Sequence, residues 1–168
     1  GRLAFALLLA ALALVVTAQA TVPFLAAWEL MALAGYFAVV FDDRRDDVRR
    51  AGLVYLVTTH AGTLLLFLLF GAWGSQAPDL TFASLGAGAQ RLGGVRALLF
   101  ALGLLGFGVK AGFVPLHFWL PEAHAAAPSH VSALMSGVVI KTGIYGLLRL
   151  ASLLQVPPAW WGWTVLVL

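Results

Sequence analysis

The sequence has no cysteine and few charged residues. Of its 168 residues, 10% are Asp, Glu, Lys or Arg, whereas 62% are hydrophobic. Without cysteine, these residues can form no disulfide, no thiolate-bound iron–sulfur cluster and no cysteine zinc site. Soluble domains carry about 25% charged and roughly 45–50% apolar residues, so the composition indicates a membrane protein. The net charge of +3 comes without the Lys/Arg-rich patch that would bind nucleic acid.

Long hydrophobic runs are abundant. A transmembrane helix needs about 20 apolar residues, and lipid favours helices because every backbone group must be hydrogen-bonded. The sequence therefore predicts an all-α polytopic transmembrane helix bundle, with about five full spans and one truncated span. The predicted segments A to F are residues 3–20, 22–41, 51–73, 97–116, 131–148 and 160–168.

We expect residues 1–168 to form one transmembrane domain that is a fragment of a longer protein. Segment A has an alternative interpretation as a signal peptide, because Ala18-Gln19-Ala20 resembles a cleavage site. The run is longer than the usual signal region of about 7–15 apolar residues, which favours a membrane span.

The loop at residues 42–50 sets the expected orientation. It reads DDRRDDVRR and holds four arginines, which the neighbouring acidic residues compensate in water. Short loops rich in Lys and Arg stay in the cytoplasm. We therefore expect a multi-pass protein of the bacterial or archaeal cytoplasmic membrane, with this loop on the cytoplasmic side.

Three ionisable residues, Glu29, Lys110 and Lys141, lie inside the apolar segments B, D and E, away from the expected helix ends. A charge in hydrocarbon costs roughly 2.5–3.5 kcal/mol on insertion scales and is tolerated mainly where it faces protein or water. Lysine changes its protonation state readily, whereas arginine holds its proton. The pattern predicts a buried path for protons or small cations. The alternative is a static ion pair that fixes helix register.

The histidines are candidates for carrying protons to this path, because histidine titrates near physiological pH. His60 lies inside segment C and is the best relay candidate, with a hydrogen-bonded structural role as the alternative. His117, Glu122, His124 and His130 are candidate proton-entry positions. Their spacing matches no standard metal-ligand pattern, and no cofactor motif is present, so we predict neither metal nor cofactor.

Segment D contains residues that favour a break in its helix. Pro115 follows Lys110 by five residues, and proline removes a helix hydrogen bond. Broken helices occur at membrane depth where the freed backbone groups line a cavity or are buried in protein. The alternative is a helix that ends at the interface. Gly108 and Gly112 form a G-x-x-x-G pattern that permits close helix approach.

One long stretch resembles a known family. Residues 110–149 read KAGFVPLHFWLPEAHAAAPSHVSALMSGVVIKTGIYGLLR, and Trp28-Glu29-Leu30 precedes them. Both elements resemble the proton-translocating antiporter-like subunits of NADH:quinone oxidoreductase (respiratory complex I), Mrp antiporters and membrane-bound hydrogenases. The motif APSHVSALMSG most resembles the large membrane subunit of hydrogenase-4 or formate hydrogenlyase.

The resemblance implies specific roles. Glu29 and Lys110 would form the input ion pair, Lys141 would be the central relay lysine, and the helix would be discontinuous near Pro115. Residues 22–150, roughly, would be the first proton-channel repeat, without the second. Expected partners are other membrane subunits, peripheral redox subunits carrying Fe–S clusters, and the lipid bilayer, but not nucleic acid.

The predicted function is a proton-translocating membrane subunit of a modular respiratory-type oxidoreductase. No residue of this chain is expected to be catalytic in the redox reaction. An Mrp-type subunit exchanging a monovalent cation for protons is one alternative, since it would use the same residues. A non-conducting membrane scaffold, in which the charges only lock helices together, is a second alternative.

Overall fold

The structure is a computed structural model that describes residues 2–155 and 158–167. These residues form helices and short connections, with an isolated antiparallel bridge between Ala20 and Thr81. The α-helices are α1 (Arg2–Thr17), α2 (Thr21–Val39), α3 (Asp46–Gly74), α4 (Phe82–Gly88), α5 (Val95–Ala111), α6 (Trp119–Ala126), α7 (Ser129–Leu134), α8 (Ile140–Leu154) and α9 (Ala159–Val167). Short 3₁₀ turns cover Val40–Asp42, Ala89–Leu92 and Leu116–Phe118, and a π-helical turn, Met135–Val139, joins α7 to α8. The predicted domain ends, Gly1 and Leu168, lie outside the described residues.

Four helical stretches in the described residues are long and apolar enough to cross a membrane. They are Thr21–Asp42, Asp46–Gly74, Val95–Ala126 and Ser129–Leu154. This confirms the predicted all-α membrane bundle. Helix α1 has 16 residues, fewer than the about 20 that a span needs, so the fifth full span stays a prediction.

Helix α3 begins earlier than segment C was predicted to begin. Its first turn contains Asp46 and Asp47, which were predicted to lie in the loop at residues 42–50. Acidic side chains are favourable there because the N-terminal end of a helix carries partial positive charge. The helix is therefore 29 residues long and extends beyond the apolar run.

The helices pack around a core of aromatic rings. Helix α2 packs against α1 and α3, and α5 packs against α3 and α8. Phe24 of α2 lies at the centre, with ring centroids 5.6 Å from Trp28, 5.9 Å from Phe70 and 5.7 Å from Phe82. Phe107 of α5 approaches Trp28 edge-on at 5.3 Å. This cluster holds α2, α3, α4 and α5 together.

Glycines set how closely α5 approaches its neighbours. A Cβ atom on Gly106 would lie 3.0 Å from the main-chain oxygen of Gly62 in α3. A Cβ atom on Gly143 of α8 would lie 2.4 Å from the main-chain nitrogen of Ala111. Small residues of this kind let helix backbones pack closely in membranes.

The predicted break in segment D is present, but a glycine produces it. Helix α5 ends at Ala111, and Gly112 takes the left-handed conformation with φ of 76°. The main-chain N–H groups of Gly112 and Phe113 both donate to the Gly108 oxygen, at 2.9 and 3.0 Å. This arrangement is a common helix C-terminus. The chain then turns through Pro115 before the 3₁₀ turn and α6.

One end of the bundle brings the loop at residues 42–50 together with the connection between α5 and α7. Helix α6 packs against α3, and a shared cleft is lined by Arg45, Arg50 and Glu122. Within the loop, Arg45 pairs with Asp47. These segments lie at the same end of the molecule; the cytoplasmic location of that end stays a prediction.

The opposite end is closed by the connection between α3 and α5. The main-chain N–H of Thr21 donates to the Leu80 oxygen at 2.9 Å, which ties this connection to the start of α2. Asp79 accepts hydrogen bonds from the Thr81 hydroxyl at 2.6 Å and from its main-chain N–H at 2.8 Å. These bonds lower the pKa of the Asp79 carboxyl. The connection between α3 and α5 is therefore folded onto the bundle.

Candidate proton-transfer site

Lys110 lies at the centre of the candidate site. Its residue is 1% exposed, and it is in the last turn of α5. The expectation that it lies away from a helix end is wrong, because Gly112 ends the helix earlier than the apolar run suggests. The end is nevertheless buried. A helix C-terminus carries about half a negative charge, which favours an ammonium group at this position.

The Lys110 ammonium group lies against two aromatic rings. Its Nζ atom is 5.4 Å from the centroid of the Tyr55 ring and 5.8 Å from that of the Trp28 ring. A cation within about 6 Å of an aromatic face is attracted by the ring quadrupole. Among the described residues, neither this Nζ atom nor the buried Tyr55 hydroxyl has a hydrogen-bond partner. We call Trp28 and Tyr55 the aromatic box.

Glu29 contacts a different residue from the one expected. Its Oε2 atom lies 3.1 Å from Nε2 of His60 on α3. The expected direct ion pair between Glu29 and Lys110 is absent from this structure, in which the Lys110 amine has no hydrogen-bond partner among the described residues. The reason is helical geometry: neighbouring side chains diverge by about 100° at 3.6 residues per turn. With Trp28 directed at Lys110, the next residue points toward α3.

His60 joins the site from the middle of α3. Its Nδ1 atom lies 3.0 Å from the main-chain oxygen of Leu56, one turn earlier in the same helix. Its side chain is 41% exposed, and that of Glu29 is 23% exposed. The two groups therefore lie at the edge of the bundle, while Lys110 lies inside it.

Lys141 is not brought to the other charged groups. It is exposed on α8, and its Nζ atom donates to the Ser136 oxygen in the π-helical turn at 2.6 Å. Its large exposed neighbours are apolar: Val138 in the π-helical turn, and Ile144 and Leu148 on α8. Among the described residues, the Lys141 amine therefore donates only to a main-chain oxygen.

The two glycines of the predicted packing motif have a different use. A Cβ on Gly108 would meet Phe113 of the following turn at 3.2 Å, and one on Gly112 would meet Leu120 of α6 at 2.4 Å. Both glycines therefore shape the end of α5. The close approaches to α3 and α8 are made by other glycines of the chain.

The candidate entry residues all lie in the segment between α5 and α8. His117 and Glu122 are exposed, and His130 is exposed beside the ring of Phe5, with centroids 5.5 Å apart. His124 is half-buried, and its Nδ1 atom lies 2.8 Å from the Ser132 hydroxyl. Among the described residues, no three His, Asp or Glu side chains are grouped to hold a metal ion.

Sequence reasoning missed Tyr55 and the role of Trp119. Tyr55 is fully buried. In the sequence, only its hydroxyl distinguishes it from the apolar residues next to it. The Trp119 indole N–H donates to the Val109 oxygen at 2.9 Å, across the break in the helix. This bond holds α6 against the buried end of α5, next to Lys110.

Comparisons with known proteins show the family of this chain. A family model described as NADH:quinone oxidoreductase/Mrp antiporter, transmembrane, matches residues 18–168. The chain belongs to this family. The match includes Glu29, His60, Lys110 and Lys141.

Individual relatives of this antiporter-family chain are similar over most of its length. An uncharacterised protein of Mycobacterium tuberculosis is 48% identical over 165 residues, which are 95% of this chain and 25% of the relative. Hydrogenase-4 component B of Escherichia coli K12 is 40% identical over 148 residues, 86% of this chain and 22% of the relative. The solved structure of the membrane-bound sulfane sulfur reductase, an archaeal respiratory membrane complex, contains a chain that is 34% identical with a TM-score of 0.79. The match covers 89% of this chain and 24% of that chain. The chain thus spans about a quarter of the length of these relatives.

Proposed function

We propose that this chain is part of a proton-translocating membrane subunit of a modular respiratory oxidoreductase of the hydrogenase-4 type. The observation that carries the proposal is Lys110, an amine buried inside the bundle against two aromatic rings, with the Glu29–His60 pair at the edge of the bundle. Membership of the antiporter family supports it, and the similarity to hydrogenase-4 component B supports the choice of complex.

Each group has a distinct part in the proposed path. Glu29 and His60 take up a proton at the edge of the bundle, and Lys110 holds one inside it. Lysine suits this task because its protonation responds readily to its surroundings. A change of charge near Glu29 alters how firmly Lys110 holds its proton. Electron transfer in partner subunits that carry Fe–S clusters would supply that change.

Lys141 continues the path in this proposal. A charge at membrane depth is tolerated where it faces protein or water, and the exposed surface around Lys141 is otherwise apolar. We assign the covering of this surface to the part of the subunit that lies beyond this chain. Lys141 would then pass the proton from Lys110 onward.

The end of the bundle near residues 42–50 is the proposed entry side. His117, Glu122, His124 and His130 are its titratable groups between α5 and α8. Histidine exchanges protons with water near neutral pH, and exposed side chains can do so without opening the bundle. We assign this end to the cytoplasm of a bacterium or archaeon.

The test uses the full-length protein in its assembled complex, reconstituted in vesicles. Proton uptake per electron transferred is compared between wild type, Lys110→Met and Lys141→Met. We expect proton uptake to fall at least about tenfold in each variant, because methionine cannot accept and release a proton in place of the lysine amine. Arg91→Met is the matched control, because it removes one exposed cation outside the spans.

The outcomes separate the three functions. Unchanged proton uptake in both lysine variants, with the complex assembled, would indicate that the chain is a non-conducting membrane scaffold. Sodium-dependent proton exchange that needs no electron donor would identify an Mrp-type antiporter. Loss of proton uptake in both lysine variants but not in Arg91→Met, with uptake dependent on electron transfer, supports the proposal.

A further inference from the structure

The last turn of α5, which carries Lys110, is closed by a side chain from another element. The last four carbonyl groups of a helix find no partner inside it. In α5 the Gly108 oxygen accepts from two main-chain N–H groups of the following turn, at 2.9 and 3.0 Å. The next oxygen, that of Val109, accepts from the indole N–H of Trp119 at 2.9 Å. Trp119 therefore bonds to the residue that directly precedes Lys110.

The ring of Trp119 also reaches the aromatic box. Its centroid lies 5.2 Å from that of the Tyr55 ring, with the two ring planes at 66°. This is the edge-to-face arrangement that aromatic pairs prefer. The Tyr55 ring in turn lies 5.4 Å from the Lys110 Nζ atom. The fully buried Trp119 thus contacts both the main chain next to Lys110 and a ring that the ammonium group lies against.

The hydrogen bond to Val109 changes the charge at the end of α5. The partial negative charge of a helix C-terminus resides on carbonyl groups that lack partners. An N–H group donated to one of these oxygens compensates part of that charge. The buried end therefore attracts the Lys110 ammonium less strongly than an end with an open carbonyl would. This matters for a proton carrier, because it must release protons as well as bind them.

We propose that Trp119 is a positioning residue for proton transfer by Lys110: it holds the Tyr55 ring in place and weakens the attraction of the α5 end for the ammonium. The inference rests on the proposed function. The proton itself goes from the Lys110 ammonium to the neutral amine of Lys141, so that one N–H bond breaks as another forms. Trp119 takes up no proton and acts only through its two contacts.

The charged and titratable groups around Lys110 stay the same when Trp119 is changed. Glu29 of α2 acts on Lys110 through its charge, and Tyr55 of α3 lies against it. The other such groups on the neighbouring elements are exposed or contact other atoms: His60, His117, Glu122, His124 and Lys141. A change in Trp119 therefore alters the end of α5 without altering these charges.

Trp119→Phe tests the hydrogen bond, because it keeps an aromatic ring and removes the N–H donor. Trp73→Phe is the matched control. Trp73 is also buried, at 1% exposure, but its indole N–H has no hydrogen-bond partner among the described residues. Proton uptake per electron is measured as a function of pH in the reconstituted full-length complex, for wild type, both variants and Lys110→Met.

We expect Trp119→Phe to lower proton uptake about threefold to tenfold at neutral pH, the size of a charge effect at a helix end. Higher pH should restore the uptake, because a more firmly held proton is then released again, so the profile moves up by about 0.5–1 pH unit. Trp73→Phe should keep the wild-type profile. A folding defect alone would lower proton uptake and electron transfer together at every pH. If Trp119→Phe does not assemble, Trp119→Met, which also lacks the N–H and fills the site flexibly, should show the same shift.

Three results would overturn the inference: an unshifted profile in the Trp119 variant, a loss that higher pH does not restore, or an equal shift in Trp73→Phe. If Lys110→Met abolishes proton uptake in that case, the proposed function stands without this role of Trp119. Uptake that survives in Lys110→Met would instead overturn the proposed function, and the inference with it.

Discussion

At the scale of single residues, the aromatic box favours the protonated form of a buried lysine that has no carboxylate in contact. A buried amine without hydrogen bonds is strongly disfavoured. Two ring faces and the C-terminus of α5 offset part of that cost for Lys110. None of these groups accepts a proton, so the lysine is stabilised and remains free to exchange partners.

The ring of Tyr55, rather than its hydroxyl, should matter for this role. A cation–π contact in a desolvated site contributes about 2 kcal/mol, which corresponds to roughly thirtyfold. We expect Tyr55→Phe to keep proton uptake within about twofold, and Tyr55→Leu to lower it by about tenfold or more. The measurement is proton uptake per electron in the assembled complex.

Two results would contradict the role of the Tyr55 ring. Equal losses in the Phe and Leu variants would assign the role to the hydroxyl. Wild-type proton uptake in the Leu variant would show that the aromatic box is not needed for proton transfer. Tyr55→Phe controls for loss of the hydroxyl, because Phe keeps the ring and nearly the same volume.

At the scale of elements, α8 is held in place by close backbone contact with α5 and by side chains that reach the end of α1. Arg149 donates to the Ala18 oxygen at 2.8 Å, and its guanidinium lies 4.0 Å from the centre of the Phe82 ring. The Tyr145 hydroxyl donates to the Val16 oxygen at 3.1 Å. These contacts fix α8 to the end of α1, while Gly143 fixes it to the end of α5.

Gly143→Ala should push α8 away from the end of α5. The added Cβ would lie 2.4 Å from the Ala111 nitrogen and 2.6 Å from the Phe107 oxygen, which are backbone atoms and cannot rotate away. We expect a loss of about 1–3 kcal/mol in unfolding free energy, as for other overpacked sites. The measurement is chemical unfolding of the purified full-length subunit in detergent.

Gly71→Ala is the matched control for this substitution. Gly71 is also helical, and a Cβ there would meet no atom within 4 Å. Alanine favours a helix interior by about 0.5–1 kcal/mol over glycine, so this variant should be neutral or more stable. Similar losses at both positions would show that close packing at Gly143 does not limit stability.

At the scale of the whole molecule, the segments that connect the helices lie at two opposite ends of the bundle. Residues 42–50 and the connection between α5 and α7 share one end, and the connection between α3 and α5 lies at the other. The arginine-rich loop predicts a cytoplasmic location for the first end. The absence of cysteine in these 168 residues makes this assignment convenient to test.

Single cysteines at exposed positions should report the orientation. We expect Asp43→Cys and Ala125→Cys to react with a membrane-impermeant maleimide in inverted vesicles, and Gln76→Cys to react in intact cells. Other cysteines of the full-length protein are replaced first. The reverse pattern would invert the orientation, whereas opposite reactivity of Asp43→Cys and Ala125→Cys would contradict the packing of α6 against α3.

The sequence by itself determined the membrane class, the helical fold and three candidate charged groups inside the apolar segments. A charge inside an apolar run is conspicuous because hydrocarbon excludes it, which is why Glu29, Lys110 and Lys141 could be identified without coordinates. The family motif followed from the same residues. Tyr55 gave little signal, because a tyrosine in an apolar stretch is ordinary.

Only the tertiary structure decided which groups meet. Sequence spacing does not tell in which direction a side chain points from its helix, so it could not show that Glu29 reaches His60 while Lys110 lies in the aromatic box. It placed the helix break near Pro115, whereas Gly112 ends α5 because its left-handed conformation closes the last turn on Gly108. Partner choice and helix ends depend on packing between segments far apart in the chain. The apolar pattern of each segment alone does not contain that information.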